Sequence, residues 1–216
     1  MIATQVQPID SAAPDPEVIG DAARLVAAGQ VVAFPTDTVY GIGCRPDDEG
    51  AVDGIYQAKG RPRALPLVLF VAGRECLQRY MSATTPELER AANRFWPGPL
   101  TVIAAAGERA PAQLVARGTI GIRIPRHPVA LALVRQCGGA LATTSANLSG
   151  RGSTSDPRQV LEQLGGRIAL LLDAGQASMG VESTVVDFTT QPPTLLRAGA
   201  IGADELRRVI GHITAA

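Results

Sequence analysis

The amino-acid sequence predicts a single α/β domain on a twisted, mixed parallel and antiparallel open sheet flanked by helices. Three observations lead there. Helical and strand-like segments are interspersed along 216 residues, without strict β-α-β regularity. In the second half several strands follow one another, which favours a mixed sheet over a purely parallel one. Hydrophobic residues make up 46% of the chain, enough to bury a substantial core. No solenoid repeat and no low-complexity linker divides the chain. The domain is therefore read as residues 16–216, with residues 1–15 as an N-terminal arm or edge strand.

The elements follow in order. Residues 17–28 predict a helix, because Val18, Ile19, Ala22, Leu25 and Val26 form one apolar stripe and Gly29 suits the position after its end. Residues 31–34 are a short buried strand stopped by Pro35. Residues 48–58 are a helix with Asp47 or Asp48 as N-cap and Ala51, Val52, Ile55 and Tyr56 inward. The continuous apolar run 67–71 reads as a strand covered on both faces. Thr85 and Pro86 open a helix over 86–95, which Trp96-Pro97-Gly98-Pro99 stops before a strand over 100–105. Residues 120–124 alternate Ile120, Ile122 and Ile124 with Gly121 and Arg123, a strand pattern. A helix over 129–137 closes at Gly138, and a strand over 140–144 runs into Ser145-Ala146-Asn147. Asp156 caps a helix over 157–164. Strands over 168–172, 184–188 and 194–196 and a helix over 204–210 complete the chain.

Charge excludes some functions. Lys plus Arg equals Asp plus Glu at 20 each, so any polyanion site must come from local clustering. Cys44, Cys76 and Cys137 form no C-x-x-C pair, and with His127 and His212 they give no zinc-site spacing. No metal ligand set is expected. Sparse cysteine suits a reduced, cytoplasmic setting. The N-terminus lacks the basic and apolar regions of a signal peptide, and no apolar run is long enough to span a membrane.

The chemistry-bearing residues fall at strand and helix ends. No G-x-x-x-x-G-K-[ST] and no G-x-G-x-x-G after a strand occurs, so a bound nucleotide would need another kind of cradle. Lys59, Arg61 and Arg63 lie at the end of the second helix, beyond its core. They are suited either to the helix dipole or to phosphate, with Pro62 stiffening the loop. Arg123 sits in an apolar strand, where an unpaired charge is costly, so it meets an anion or lies on an edge strand. Thr36-Asp37-Thr38-Val39-Tyr40-Gly41, Thr143-Thr144-Ser145-Ala146-Asn147 and Ser183-Thr184 follow strand ends or a flexible turn, and Arg197 closes a strand. Such ends line ligand crevices in open sheets, although the first motif also reads as an Asx or Ser/Thr turn. No Ser-His-Asp or Cys-His set can be drawn, so the chemistry rests on positioning and charge.

Six blocks in order resemble the YrdC/Sua5 family over roughly residues 17–210. They are 35–41, Ala58-Lys59-Gly60-Arg61-Pro62, 96–101, Ile122-Arg123-Ile124-Pro125, 143–150 and 182–187. The resemblance implies a YrdC-like fold and an L-threonylcarbamoyladenylate synthase, a nucleotidyltransferase. Such an enzyme joins L-threonine, bicarbonate and ATP into threonylcarbamoyl-AMP and pyrophosphate. The product would pass to a threonylcarbamoyl transferase complex that modifies adenosine 37 of tRNA, with a tRNA contact as a further implied partner. It implies Lys59 and Arg61 as catalytic and ATP-binding, with Thr119, Ser145, Asn147, Ser153 and Arg197 also on ATP. Thr36, Thr38, Tyr40, Arg123, Thr143 and Ser183 would hold threonine, and Mg2+ would accompany ATP. Alternatives are a paralogue with another acceptor and a double-stranded RNA or tRNA-binding module. The chain departs from the family at Leu65, where many members have Asn. It also has Phe70 where many longer members have His, and Ala198 where Pro is frequent. The resemblance is to the short family type, expected to lack the extra C-terminal domain of the longer one.

Overall fold

The structure, a computed structural model, describes residues 3–215; Met1, Ile2 and Ala216 lie outside the described residues. The helices begin where the sequence supplies caps. Asp15, Asp48, Thr85 and Asp156 each accept a backbone N–H at the start of α1 (Pro16–Ala27), α2 (Glu49–Lys59), α4 (Pro86–Phe95) and α6 (Pro157–Leu164). Gly60, at φ 59°, ends α2 in the left-handed region that glycine enters without strain. The remaining helices are α3 (Leu77–Tyr80), α5 (Pro128–Gln136) and α7 (Ala203–Ile210).

The described residues form one eleven-stranded sheet. In chain order its strands are β1 (Gln5–Pro8), β2 (Val32–Phe34), β3 (Gly41–Cys44), β4 (Val68–Val71), β5 (Leu100–Ala105) and β6 (Thr119–Arg123). They continue as β7 (Ala140–Ser145), β8 (Leu170–Asp173), β9 (Thr184–Asp187), β10 (Thr194–Arg197) and β11 (Thr214–Ala215). In space the order is β1-β8-β2-β3-β7-β4-β6-β5-β9-β10-β11. Parallel pairs such as β4–β6 and β5–β9 alternate with antiparallel pairs such as β3–β7 and β5–β6. The sheet is therefore mixed, as the sequence predicts.

Period-2 alternation divides the core into two layers. Ile42, Leu69, Val102, Ile122, Ala142 and Val186 face one way, into a core shared with α2, α4, α6 and α7. Phe34, Phe70 and Leu141 face the other way and pack under α1 and α5. Those two helices cover only one end of their face. The uncovered part is the site.

Two strands escape the sequence reading, β3 and β11, as does the short α3. Gly41-Ile42-Gly43-Cys44 receives no element from the sequence, and its glycines weaken a strand pattern. It is nonetheless a central strand between β2 and β7. Phe34 explains one of the glycines: a Cβ on Gly43 would lie 3.0 Å from Phe34 Cε1. The N-terminal segment supplies β1, an edge strand paired in parallel with β8.

Candidate active site

Strand register builds the site as a row of residues across the open face. Gly41 pairs with Ser145 and Gly43 with Thr143; Thr143 pairs with Val68, Val68 with Gly121 and Gly121 with Ile103. Thr101 pairs with Val185, and Val185 with Arg197. The row crosses seven neighbouring strands and floors a cavity of about 440 Å³. Glycine at 41 and 121 keeps that floor low.

Arg123 has the most constrained side chain there. Its Nε donates to Gly98 O at 3.0 Å, Nη1 to Thr38 Oγ1 at 3.0 Å and Nη2 to Asp37 Oδ1 at 2.6 Å. The guanidinium lies over the Phe70 ring, 5.4 Å from its centroid. Burial pulls its pKa down while Asp37 holds it up. Of the two readings of this charge, the anion is the one formed: β6 lies between β4 and β5 and is not an edge strand. Asp37 Oδ1 also accepts the Arg126 N–H at 3.1 Å, while Oδ2 is buried without a partner among the described residues.

Lys59 corrects an expectation. The sequence places it beyond the helix core, yet it is 2% exposed and among the largest fully buried side chains. Its Nζ donates to the carbonyl of Ser145, to Asn147 O at 2.7 Å and to Asn147 Oδ1 at 3.3 Å. Its own carbonyl accepts the Ser149 N–H. Lys59 therefore folds the 145–149 turn around itself. It is the one lysine in the sequence. Burial, with the nearby Arg61 charge, lowers its pKa to about 7, against a smaller upward pull from Glu182.

At the mouth, Arg61 donates from Nε to Leu65 O at 3.0 Å and from Nη2 to Pro66 O at 3.2 Å. Arg197 donates from Nε to Ser183 O and from Nη2 to Ser183 Oγ, and its Nη1 lies 2.8 Å from Glu182 Oε2. Arg63 turns away to Asp53 and the Tyr56 ring and does not line the cavity.

The structure thus brings Lys59, Arg61, Arg123 and Arg197 to one cavity, with Thr36, Thr38, Tyr40, Thr143, Ser145, Asn147 and Ser183. Three of the expected residues are placed less directly than the others. Tyr40 is fully buried, and its hydroxyl donates to Gly175 O and accepts from Ala174 N. That hydroxyl, with a pKa raised by burial to about 12, holds β8's exit loop rather than facing a ligand. Thr119 shares the strand face of Gly121 and Arg123 but lies two residues outward, where its hydroxyl donates to Ala116 O; it does not line the cavity. Ser153 stands three residues past the lining Gly150 and does not line it either.

Asp37, Thr101 and Glu182 are site residues that the sequence reading missed. Asp37 lay inside a motif already singled out, and Arg123 required an anion; only the pairing of the two was not visible. Thr101 Oγ1 lies 2.9 Å from Ser183 Oγ. His127 lies outside the cavity, and burial lowers its pKa.

Fold and site together define a class: a single α/β domain whose concave sheet face carries converging cations and hydroxyls, with no P-loop. The chain belongs to the Sua5/YciO/YrdC family, whose model, described as "Telomere recombination", matches residues 24–199. It is 42% identical over 194 residues to a threonylcarbamoyl-AMP synthase of Pyrococcus abyssi, covering 89% of this chain and 57% of that protein. It is 36% identical to a putative threonylcarbamoyl-AMP synthase of Mycobacterium tuberculosis, covering 89% of each. The crystal structure of P. abyssi Sua5 complexed with L-threonine superposes with a TM-score of 0.94 at 38% identity, over 99% of this chain and 63% of that one. The chain thus spans somewhat more than half the length of its longer relatives. No helix among the described residues is long and apolar enough to cross a membrane.

Proposed function

We propose that this chain is an L-threonylcarbamoyladenylate synthase, condensing L-threonine, bicarbonate and ATP into threonylcarbamoyl-AMP and pyrophosphate. One observation carries the reading: four basic side chains converge on one cavity that is charge-compensated at one end and cationic at the other. Arg123 and Asp37 form the compensated end, which suits a zwitterionic amino acid. Asp37, Thr38 and Gly98 use three of the guanidinium's five N–H groups, leaving two for the threonine carboxylate. Thr38, Thr143 and Ser183 surround that seat. The name of the P. abyssi relative and its threonine complex support the assignment.

Arg61 and Arg197 then take the triphosphate, and Lys59 shapes the Ser145–Asn147 turn against the nucleotide. The threonine amine forms a bond to the carbon of bicarbonate, which loses water, and a carbamate results. A carbamate oxygen forms a bond to the α-phosphorus while the bond to the departing pyrophosphate breaks. Such a transfer needs alignment and charge stabilisation more than a protein nucleophile. Magnesium commonly binds through one or two carboxylates plus substrate phosphates. Glu182 is the one carboxylate lining the cavity among the described residues, so the donor set suits an ion carried by ATP. The ion would neutralise phosphate charge when bound. In a cytoplasmic setting, the product would supply a threonylcarbamoyl transferase acting on tRNA.

The test is a mixture of ATP, L-threonine and bicarbonate, with each omitted in turn. Pyrophosphate and the adenylate should form only with all three. Pyrophosphate release that ignores threonine would instead point to another acceptor.

A further inference from the structure

Among the described residues lining the cavity, a single carboxylate stands among the cations, and in the empty protein it is paired with one of them. Glu182 Oε2 lies 2.8 Å from Arg197 Nη1. Its charge also reaches Lys59 and Arg61. A fixed negative charge there repels an incoming triphosphate and occupies one of its donors.

The backbone allows little escape. Glu182 O accepts the Ala200 N–H, and a Cβ on Gly199 would lie 2.6 Å from the Ser183 carbonyl carbon, so the 182–183 and 199–200 segments are pressed together. Arg197 is anchored as well, through two bonds to Ser183. The side chain of Glu182, about one-third exposed, is left to rotate.

We infer that Glu182 is a resident competitor for the phosphate seat: it occupies Arg197 in the empty protein, and a polyphosphate must displace it to bind. The inference rests on the proposed placement of triphosphate in this cavity. Displacement exchanges one charge-assisted pair for another, so wild-type affinity is lower than three converging cations alone would give. The same exchange assists release, because the carboxylate returns to Arg197 as pyrophosphate leaves.

The experiment measures binding of ATP to the wild-type chain and to Glu182→Gln by calorimetry, with magnesium present and with it chelated. L-Threonine binding serves as the control. The variant should bind ATP on the order of tenfold more tightly in both conditions, with unchanged threonine affinity. Equal ATP affinity in the two proteins would overturn the inference. Weaker binding confined to the magnesium arm would also overturn it, making Glu182 a metal contact instead. ATP binding by neither protein would overturn the proposed function and this inference with it. Should Glu182→Gln not fold, the wild-type chain carrying 13C-labelled glutamate gives the same answer. The Glu182 carboxylate resonance should move with ATP and not with threonine, and a resonance that ATP leaves in place would overturn the inference.

Discussion

Asp37 and Arg123, 86 residues apart in sequence, form an ion pair of 2.6 Å in which each side chain is 4% exposed. The pair lies at the back of the cavity, and Thr38, Gly98 and the Arg126 N–H supply its further hydrogen bonds, while Asp37 Oδ2 stays without a partner among the described residues. Its position makes it both a structural element and the charge-compensated end of the site.

Removing one partner leaves the other charge buried. Asp37→Ala is expected to cost about 3–5 kcal/mol in urea denaturation. Asp37→Asn keeps an acceptor for Arg126 and should cost less. Equal loss in the two variants would mean that the charge accounts for the whole effect and the acceptor for Arg126 contributes nothing.

Lys59 gives a pH dependence with a defined sign. Its ordinary value is 10.5, and burial lowers it to about 7 against three acceptors that favour the ammonium. Between those values the unfolded chain holds a proton that the folded chain has released. Stability should therefore rise as pH climbs from about 7 to 10.5, with the burial penalty fully present below 7. As the sole lysine, Lys59 gives one side-chain 15N resonance, and its titration midpoint measures the shift directly. A midpoint at 10.5 would contradict the burial.

Arg61, at the mouth, and the buried Lys59 should separate on substitution. Arg61→Ala is expected to lower turnover about ten- to a hundredfold with little loss of stability, because the side chain is only half-buried. Lys59→Ala should lose both turnover and stability, since it opens a cavity and releases the 145–149 turn. Thermal melts beside pyrophosphate assays distinguish them.

Gly199→Ala tests the backbone clamp under Glu182. The added Cβ would lie 2.6 Å from the Ser183 carbonyl carbon, so one of the two segments must shift. Arg197 and Ser183 should be displaced together, raising KM for ATP and for threonine at once. An effect on one substrate alone would show that the two subsites are independent there.

Threonine should be preferred modestly over serine and more strongly over valine. Enclosing one methyl group discriminates by about 1–3 kcal/mol, whereas valine leaves buried hydrogen-bonding groups unpaired. Competition among the three amino acids at fixed ATP and bicarbonate measures both ratios. Valine reacting as well as threonine would refute the placement of Thr38, Thr143 and Ser183 around the side chain.

The features legible in the amino-acid order are local and periodic. Asp48, Thr85 and Asp156 mark helix starts, because a cap acts within three residues. The alternation of Ile120, Ile122 and Ile124 with Gly121 and Arg123 assigns them to opposite faces, since neighbouring strand residues must point apart. The motif blocks named the residues that converge. Tertiary structure alone decided their partners. Strand order sets β3 between β2 and β7, although its glycines weaken a strand; Gly43 is accommodated there because Phe34 fills the space a side chain would occupy. Lys59 finds its acceptors 86 and 88 residues away, and the Tyr40 hydroxyl bonds to Gly175 rather than a ligand. Burial and register are properties of the assembled sheet, so no local pattern distinguishes a lysine that meets phosphate from one that folds a turn around itself.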